Sequence, residues 1–366
     1  MIARPSPSPA HPYSALPARA FWRSAVSAGN PMQMTGLWQP KFQITPVDPV
    51  ATYGSCFAQH IGRALRARSH RWLVTEKPPR RVPGGLAREF GYRLFSARTG
   101  NIYTPTLLLQ WLRWAFGEHP PPDEVWHEGA RFRDPFRPRI EPEGFESIAE
   151  FERLRAVTLA ALRRSVLKAR VFVFTLGLTE RWVDRDSGRE YPLCPGTTSG
   201  QFDPARHAFA PLDYPQAMEA MTGALDLMRA ANPDLRFLLT VSPVPLAATA
   251  AAGHVLCASS GSKAILRAVA GALAETRADT DYFPSYEMIT SPVFGGQFFA
   301  ADRRQVTPEG VAFVMDRFFA DMAAQFGTAP AQKGSGLRRK RDAEAEAARV
   351  DVACDEELLD AFGPRR

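Results

Sequence analysis

Pro49-Val-Ala-Thr-Tyr-Gly54-Ser55-Cys56-Phe57-Ala58 is the stretch from which the fold reads most directly. Its first half is a short strand ending on a glycine. Phe57, Ile61 and Leu65 then recur every four residues, one face of a helix over 56–67. Strand, small-residue turn and helix open an α/β unit. The alternation returns downstream. A helical pattern over 151–167 runs into Ala169-Arg-Val-Phe-Val-Phe-Thr-Leu176, a continuous apolar run of the kind found in strands buried on both faces. Helix 216–231 leads to the equally apolar strand 235–241, and helix 262–277 to a weak strand at Tyr282-Phe283. Helices over 104–116 and 308–326 complete the set, each with a proline at an early position. These elements predict a three-layer α/β/α sandwich with a mainly parallel sheet.

Working outward, residues 1–46 are Pro-rich yet carry Phe21, Trp22, Leu37, Trp38 and Phe42, which predicts a strap lying on the domain rather than a free leader. The domain itself spans 47–326. Residues 327–366 form a charged flexible tail, with short helices expected at 343–349 and 356–362. Stretch 117–146 reads as a surface excursion and 177–215 as loop.

The 366 residues, 45% hydrophobic, suffice for a large core. No run approaches the ~20 apolar residues of a membrane span. The N-terminus lacks the apolar region of a secretory signal, so a cytoplasmic, reducing compartment with free thiols is expected. Cys56, Cys194, Cys257 and Cys354 form no C-x-x-C, and no His/Asp/Glu pair has metal-ligand spacing, so no metal is predicted. Nor is a nucleotide-binding glycine loop present, and no cofactor is expected. The net charge of +7 is uneven: residues 62–98 carry ten basic and two acidic residues. This suits a solvated basic face or a surface for an anionic ligand. Without a helix-turn-helix, RNP or zinc-finger pattern it argues against nucleic acid.

In parallel sheets ligands gather beyond the C-terminal strand ends. Cys56, opening a helix there, would feel the dipole and N–H groups that favour thiolate, and the same N–H groups can hold an oxyanion. A lone cysteine is otherwise a small buried hydrophobe. Ser55 is the rival nucleophile.

Gly54-Ser-Cys-Phe-Ala58 resembles the motif that names the GSCFA family, similar in turn to the SGNH (GDSL-like) hydrolase superfamily. Gly100-Asn101-Ile-Tyr-Thr104, Thr175-Leu-Gly-Leu-Thr-Glu180, Cys194-Pro-Gly196, Thr240-Val-Ser-Pro243, Ser262-Lys263 and Tyr282-Phe-Pro-Ser-Tyr-Glu287 read as further blocks in order, over roughly 12–326. The resemblance implies that Cys56 takes the nucleophile's place. Gly54, Gly100, Asn101 and Thr179 would furnish the oxyanion hole, supported by Gly177 and Glu180, all converging on one pocket. Gly100-Asn101 can also be a plain turn, and Thr179-Glu180 a helix start. The last superfamily block, Asp-x-x-His, falls on Asp302-Arg-Arg-Gln305, so the histidine is replaced. Replacement bases are His254, after the Thr240 strand, and His60, one helical turn from Cys56, with His207 third. The implied function is an acyl esterase or acyltransferase working on a carbohydrate or polysaccharide precursor through an acyl-enzyme on Cys56. Its small-molecule or carbohydrate substrate would be met by an anionic acyl donor. The alternative is a binding or scaffold protein that kept the fold and lost catalysis.

Overall fold

Four strands build the central sheet: β1 (Val50–Gly54), β4 (Val171–Leu176), β8 (Arg236–Val241) and β9 (Thr280–Tyr282), adjacent in that order and all parallel. The computed structural model describes residues 11–327 and 355–363. Side chains alternate across the sheet because strand geometry has period two. Ala51, Tyr53, Phe172, Phe174, Phe237 and Leu239 enter one core, and Val50, Val171, Val173 and Leu238 enter the other. The first core is covered by α3 (Pro105–Phe116), α4 (Ile148–Lys168), α5 (Tyr214–Ala231) and α6 (Val255–Thr276). The second is covered by α1 (Ala58–Ala67) and α8 (Pro308–Phe326). This is the three-layer α/β/α sandwich expected, with helices on both faces of a parallel sheet.

Helix starts follow their local chemistry. Thr104, Ser147, Asp213 and Thr307 each accept a hydrogen bond from a backbone N–H in the first turn of α3, α4, α5 and α8. α6 starts at Val255, well before the expected 262, because the His254 ring caps it by accepting from Leu256 N at 3.1 Å. The remaining helices, α2 (Gly84–Glu89) and α7 (Ser285–Thr290), are short.

Two stretches read as irregular hold order. The hairpin β2 (Trp126–Glu128) and β3 (Arg131–Arg133) lies in the 117–146 excursion. Strands β5 (Trp182–Asp184), β6 (Glu190–Tyr191) and β7 (His207–Phe209) make a small antiparallel sheet within 177–215. Strands of two or three residues are too short for an alternation to show in sequence.

In the N-terminal stretch, Trp38, Phe42 and Ile44 are buried in the second core, whereas Phe21, Trp22 and Leu37 stay exposed. Two buried carboxylates hold this segment. Asp281 accepts from the Trp38 indole at 3.2 Å and Lys41 N at 2.9 Å, and Asp321 accepts from Gly36 N and Trp38 N. Beyond α8 the described segment 355–363 contains a 3-10 helix, Asp355–Phe362. The expected helix at 343–349 lies outside the described residues.

Candidate functional site

β1, β4 and β8 end level with one another, since Gly54 pairs with Thr175 and Thr175 with Thr240. Their C-terminal ends therefore present Ser55, Gly177 and Ser242 along one edge. Gly54 makes the close turn possible. Its φ is +129°, and a Cβ there would fall inside the Thr175 carbonyl. Ser55 N donates to Thr175 O at 3.0 Å, and Ala58 N to Ser55 O at 2.9 Å, so the chain turns at once into α1.

The Gly100–Thr104 block threads between these strand ends. Ile102 N donates to Gly54 O at 2.9 Å, and Gly177 N to Tyr103 O at 2.8 Å. Gly177 is as tightly placed: a Cβ on it would meet the Tyr103 ring at 2.9 Å and Ser55 Cβ at 3.1 Å. Thr179 N donates to Ser262 Oγ at 2.8 Å, which ties the third block to α6. The neighbouring Lys263 is buried and donates its ammonium to Gly177 O. Ser55, Tyr103, Gly177, Thr179, Ser262 and Lys263 thus meet at one strand-end edge.

Ser55 Oγ is buried with no hydrogen-bond partner. Cys56 is buried and in no disulfide, two residues ahead of α1. Asn101 is buried beside Gly100 (φ +70°) and donates Nδ2–H to Asp355 Oδ2 at 2.8 Å. Glu180 accepts from the Thr249 hydroxyl and from Ala250 N at 3.4 Å. A pocket of about 140 Å³ opens against Thr99, Gly100, Asn101, Arg137, Arg139 and Asp355.

The histidines lie differently. His60 is buried edge-on to Phe57, its Nδ1 unpartnered, and burial with help from Arg63 pushes its pKa down to about 3. Its ring is neutral near pH 7 and a weak base. His254 is exposed at the start of α6. His207 is buried in β7, accepting from Asp203 N at 3.0 Å and packing edge-on to Tyr191. Asp302 is an exposed turn residue accepting from Arg304 N and Gln305 N, both at 3.0 Å. From this last block it is Arg304 that reaches the edge, with its Nε donating to Pro245 O at 3.2 Å and its guanidinium facing Glu356 and Glu357.

The basic run of 62–98 is not one solvated face. Arg98 is 2% exposed, bonded to Phe90 O, Ile140 O and Glu141, while Arg68 pairs with Asp316. Arg80, Arg81 and Arg88 are exposed. Lys263 had a signal in the sequence. Ser259, Ser262 and Lys263 fall on the same helical face as Leu266, Val269, Ala270 and Leu273, polar groups at positions the periodicity assigns to the core.

Among the described residues no group of three His, Cys, Asp or Glu side chains is placed to hold a metal ion, and no helix is long and apolar enough to cross a membrane. Neither a curated protein nor a solved structure matches the chain. The GSCFA family model matches residues 49–318, from the start of β1 into α8, and covers every block that builds the strand-end edge. By that match the chain belongs to the GSCFA family.

Proposed function

We propose that the protein is an acyl-transfer enzyme of SGNH-like design, an esterase or acyltransferase whose nucleophile comes from the Ser55–Cys56 pair. One observation carries the reading: a buried hydroxyl without a partner lies beside a buried thiol at the C-terminal edge of a parallel sheet. Burying a polar group without a hydrogen bond costs ~1–3 kcal/mol, a cost that a folded chain rarely bears without use. Cys56 takes the nucleophile's place by its position after β1. Its sulfur bonds the acyl carbon, the leaving alcohol departs with the thiol proton, and water or an acceptor hydroxyl then takes the acyl group and restores the thiol.

Asn101, the Thr179 hydroxyl, the Gly100 N–H and the N–H groups of the turn that leads from Gly54 into α1 are the donors for the oxyanion. Lys263, the buried cation at Gly177, favours negative charge developing at this edge. His254 is the imidazole that would activate the acceptor, since burial leaves His60 a weak base. A carbohydrate or polysaccharide precursor is the proposed acceptor, with cytoplasmic residence.

The test is intact-mass analysis after incubation with p-nitrophenyl acetate and with acetyl-CoA. An acyl adduct on Cys56, absent in Cys56→Ala, supports the reading. An adduct mapped to Ser55 moves the nucleophile by one residue, and no adduct with either donor overturns acyl transfer. The second reading, a binding protein on the same fold, draws on Asp302 and Gln305, which are both exposed in a turn where the superfamily carries its acid and base.

A further inference from the structure

The segment Asp355–Phe362 lies across the strand-end edge and reaches it through carboxylates. Asp355 accepts from Asn101 Nδ2 at 2.8 Å and from an Arg139 guanidinium N–H at 3.1 Å. Its neighbour Glu356 turns the other way, accepting from Ala247 N at 2.8 Å with Arg304 at 3.6 Å. Glu357 stands 3.5 Å from the same Arg304. The two central carboxylates are largely withdrawn from water, with side chains 14% and 9% exposed. Carboxylates are seldom buried unless something holds them. Here the holders are donors only: a side-chain amide, two guanidiniums and a backbone N–H, with the Lys263 charge felt at Glu356.

Leu358 and Leu359 are half-buried and add apolar contact to this docking, but neither belongs to a core cluster, and Phe362 is 65% exposed. The segment is thus attached in good part through the hydrogen bonds that its carboxyl oxygens accept. Contacts of that kind can be exchanged for a free anion in a way that a buried apolar anchor cannot.

We propose that the donors now holding this segment, Asn101 and Arg139 on one side and Ala247 N and Arg304 on the other, bind the carboxylate or phosphate of an anionic ligand, and that Asp355 and Glu356 are its built-in competitors. The ligand-binding part stands apart from the acyl-transfer reading. Its consequence for turnover rests on that reading: a docked Asp355 engages the amide of Asn101, the proposed oxyanion donor, so a docked segment suppresses reaction and an anionic substrate relieves it.

The full-length chain and its D355N/E356Q/E357Q variant are titrated with inorganic phosphate and, separately, with glutarate, which distinguishes a phosphate from a dicarboxylate ligand. One of the two probes is expected to bind the variant ~10-fold or more tighter than the wild type, as for release from a tethered competitor near mM effective concentration. Adding Arg304→Gln or Arg139→Gln to that variant should remove the gain. In the unmodified chain the same probe should speed hydrogen exchange at residues 355–362, a readout that does not depend on how the variant folds. Equal affinity in both chains, or a gain indifferent to both arginines, overturns the proposal. So does unchanged exchange in the wild type at saturating phosphate and glutarate. None of these readouts uses acyl chemistry, so failure of the acyl-transfer reading would appear separately, as a missing adduct.

Discussion

Two buried ionic clusters in this molecule place carboxylates among arginines, with opposite results. Behind the sheet edge, Asp134 is fully enclosed and bonds Arg137 at 2.8 Å and Arg155 at 2.6 Å. Burial alone would raise its pKa, but Arg155 and Arg137 outweigh it and hold the group at about 2. Arg98, Glu76 and Glu141 extend this cluster, and Arg137 joins it through Arg98 O and the Thr158 hydroxyl. At the strand-end edge burial prevails. Asp355 is raised despite Arg139 and Asn101, and Glu356 is raised despite Arg304, the Ala247 N–H and Lys263, with Glu180 adding to the rise. The first cluster is matched charge for charge and built to stay. In the second, burial outweighs the partners that are present, so its carboxyls are held less firmly in their ionised form.

The largest expected effect breaks the first cluster. Asp134→Ala leaves two buried guanidiniums without their shared carboxylate and should cost ~3–5 kcal/mol in denaturant unfolding. A loss below ~1 kcal/mol would mean that the arginines find water, and the contrast would collapse. Next comes Lys263→Met at the edge, which strips the donor from Gly177 O and should cost ~1–3 kcal/mol of stability. If acyl transfer is the activity, this variant also loses ~10²-fold or more in acylation rate, read from the p-nitrophenolate burst with the fold checked by circular dichroism. An unchanged burst removes Lys263 from the chemistry.

The smallest effect on global stability belongs to the segment itself. D355N/E356Q should shift the unfolding free energy by no more than ~1 kcal/mol, since release of the segment is a local opening that leaves both cores intact. A loss comparable to that of Asp134→Ala would make the segment part of the core.

The two clusters also differ in their response to pH. Asp134, depressed in the fold, contributes stability that is complete above its unfolded pKa and lost as the pH falls through about 2. Asp355 and Glu356, raised in the fold, act in the opposite sense. Their docking is favoured below the unfolded carboxylate range and weakens as the pH rises through their raised values. Hydrogen exchange, corrected for intrinsic rates, should therefore show protection of residues 355–362 that falls as the pH is raised. The reverse trend would show that the ionised carboxylates are the better-held form.

The layers and most helices were legible because their signals are local. Thr104-Pro105, Ser147 and Thr307-Pro308 carry their own start chemistry. The runs 169–176 and 235–241 are too apolar to be anything but buried. The start of α6 was obscured because Gly261 and the serines around it weaken the helix signal, and because a histidine cap is unusual. The turn at Gly54-Ser55-Cys56 was legible for the same local reason, in that it follows a strand directly.

Amino-acid order alone determined the sandwich, the common strand edge and the small residues that line it, since each depends on side-chain periodicity and backbone conformation within a few residues. Only the folded chain decided which distant groups complete that edge. Lys263 arrives there from α6, Arg304 replaces Asp302 as the residue of its block that points inward, and Asp355 and Glu356 return from beyond α8. Those choices turn on desolvation and charge balance between residues up to 254 positions apart, as with Asn101 and Asp355, and no local pattern encodes them.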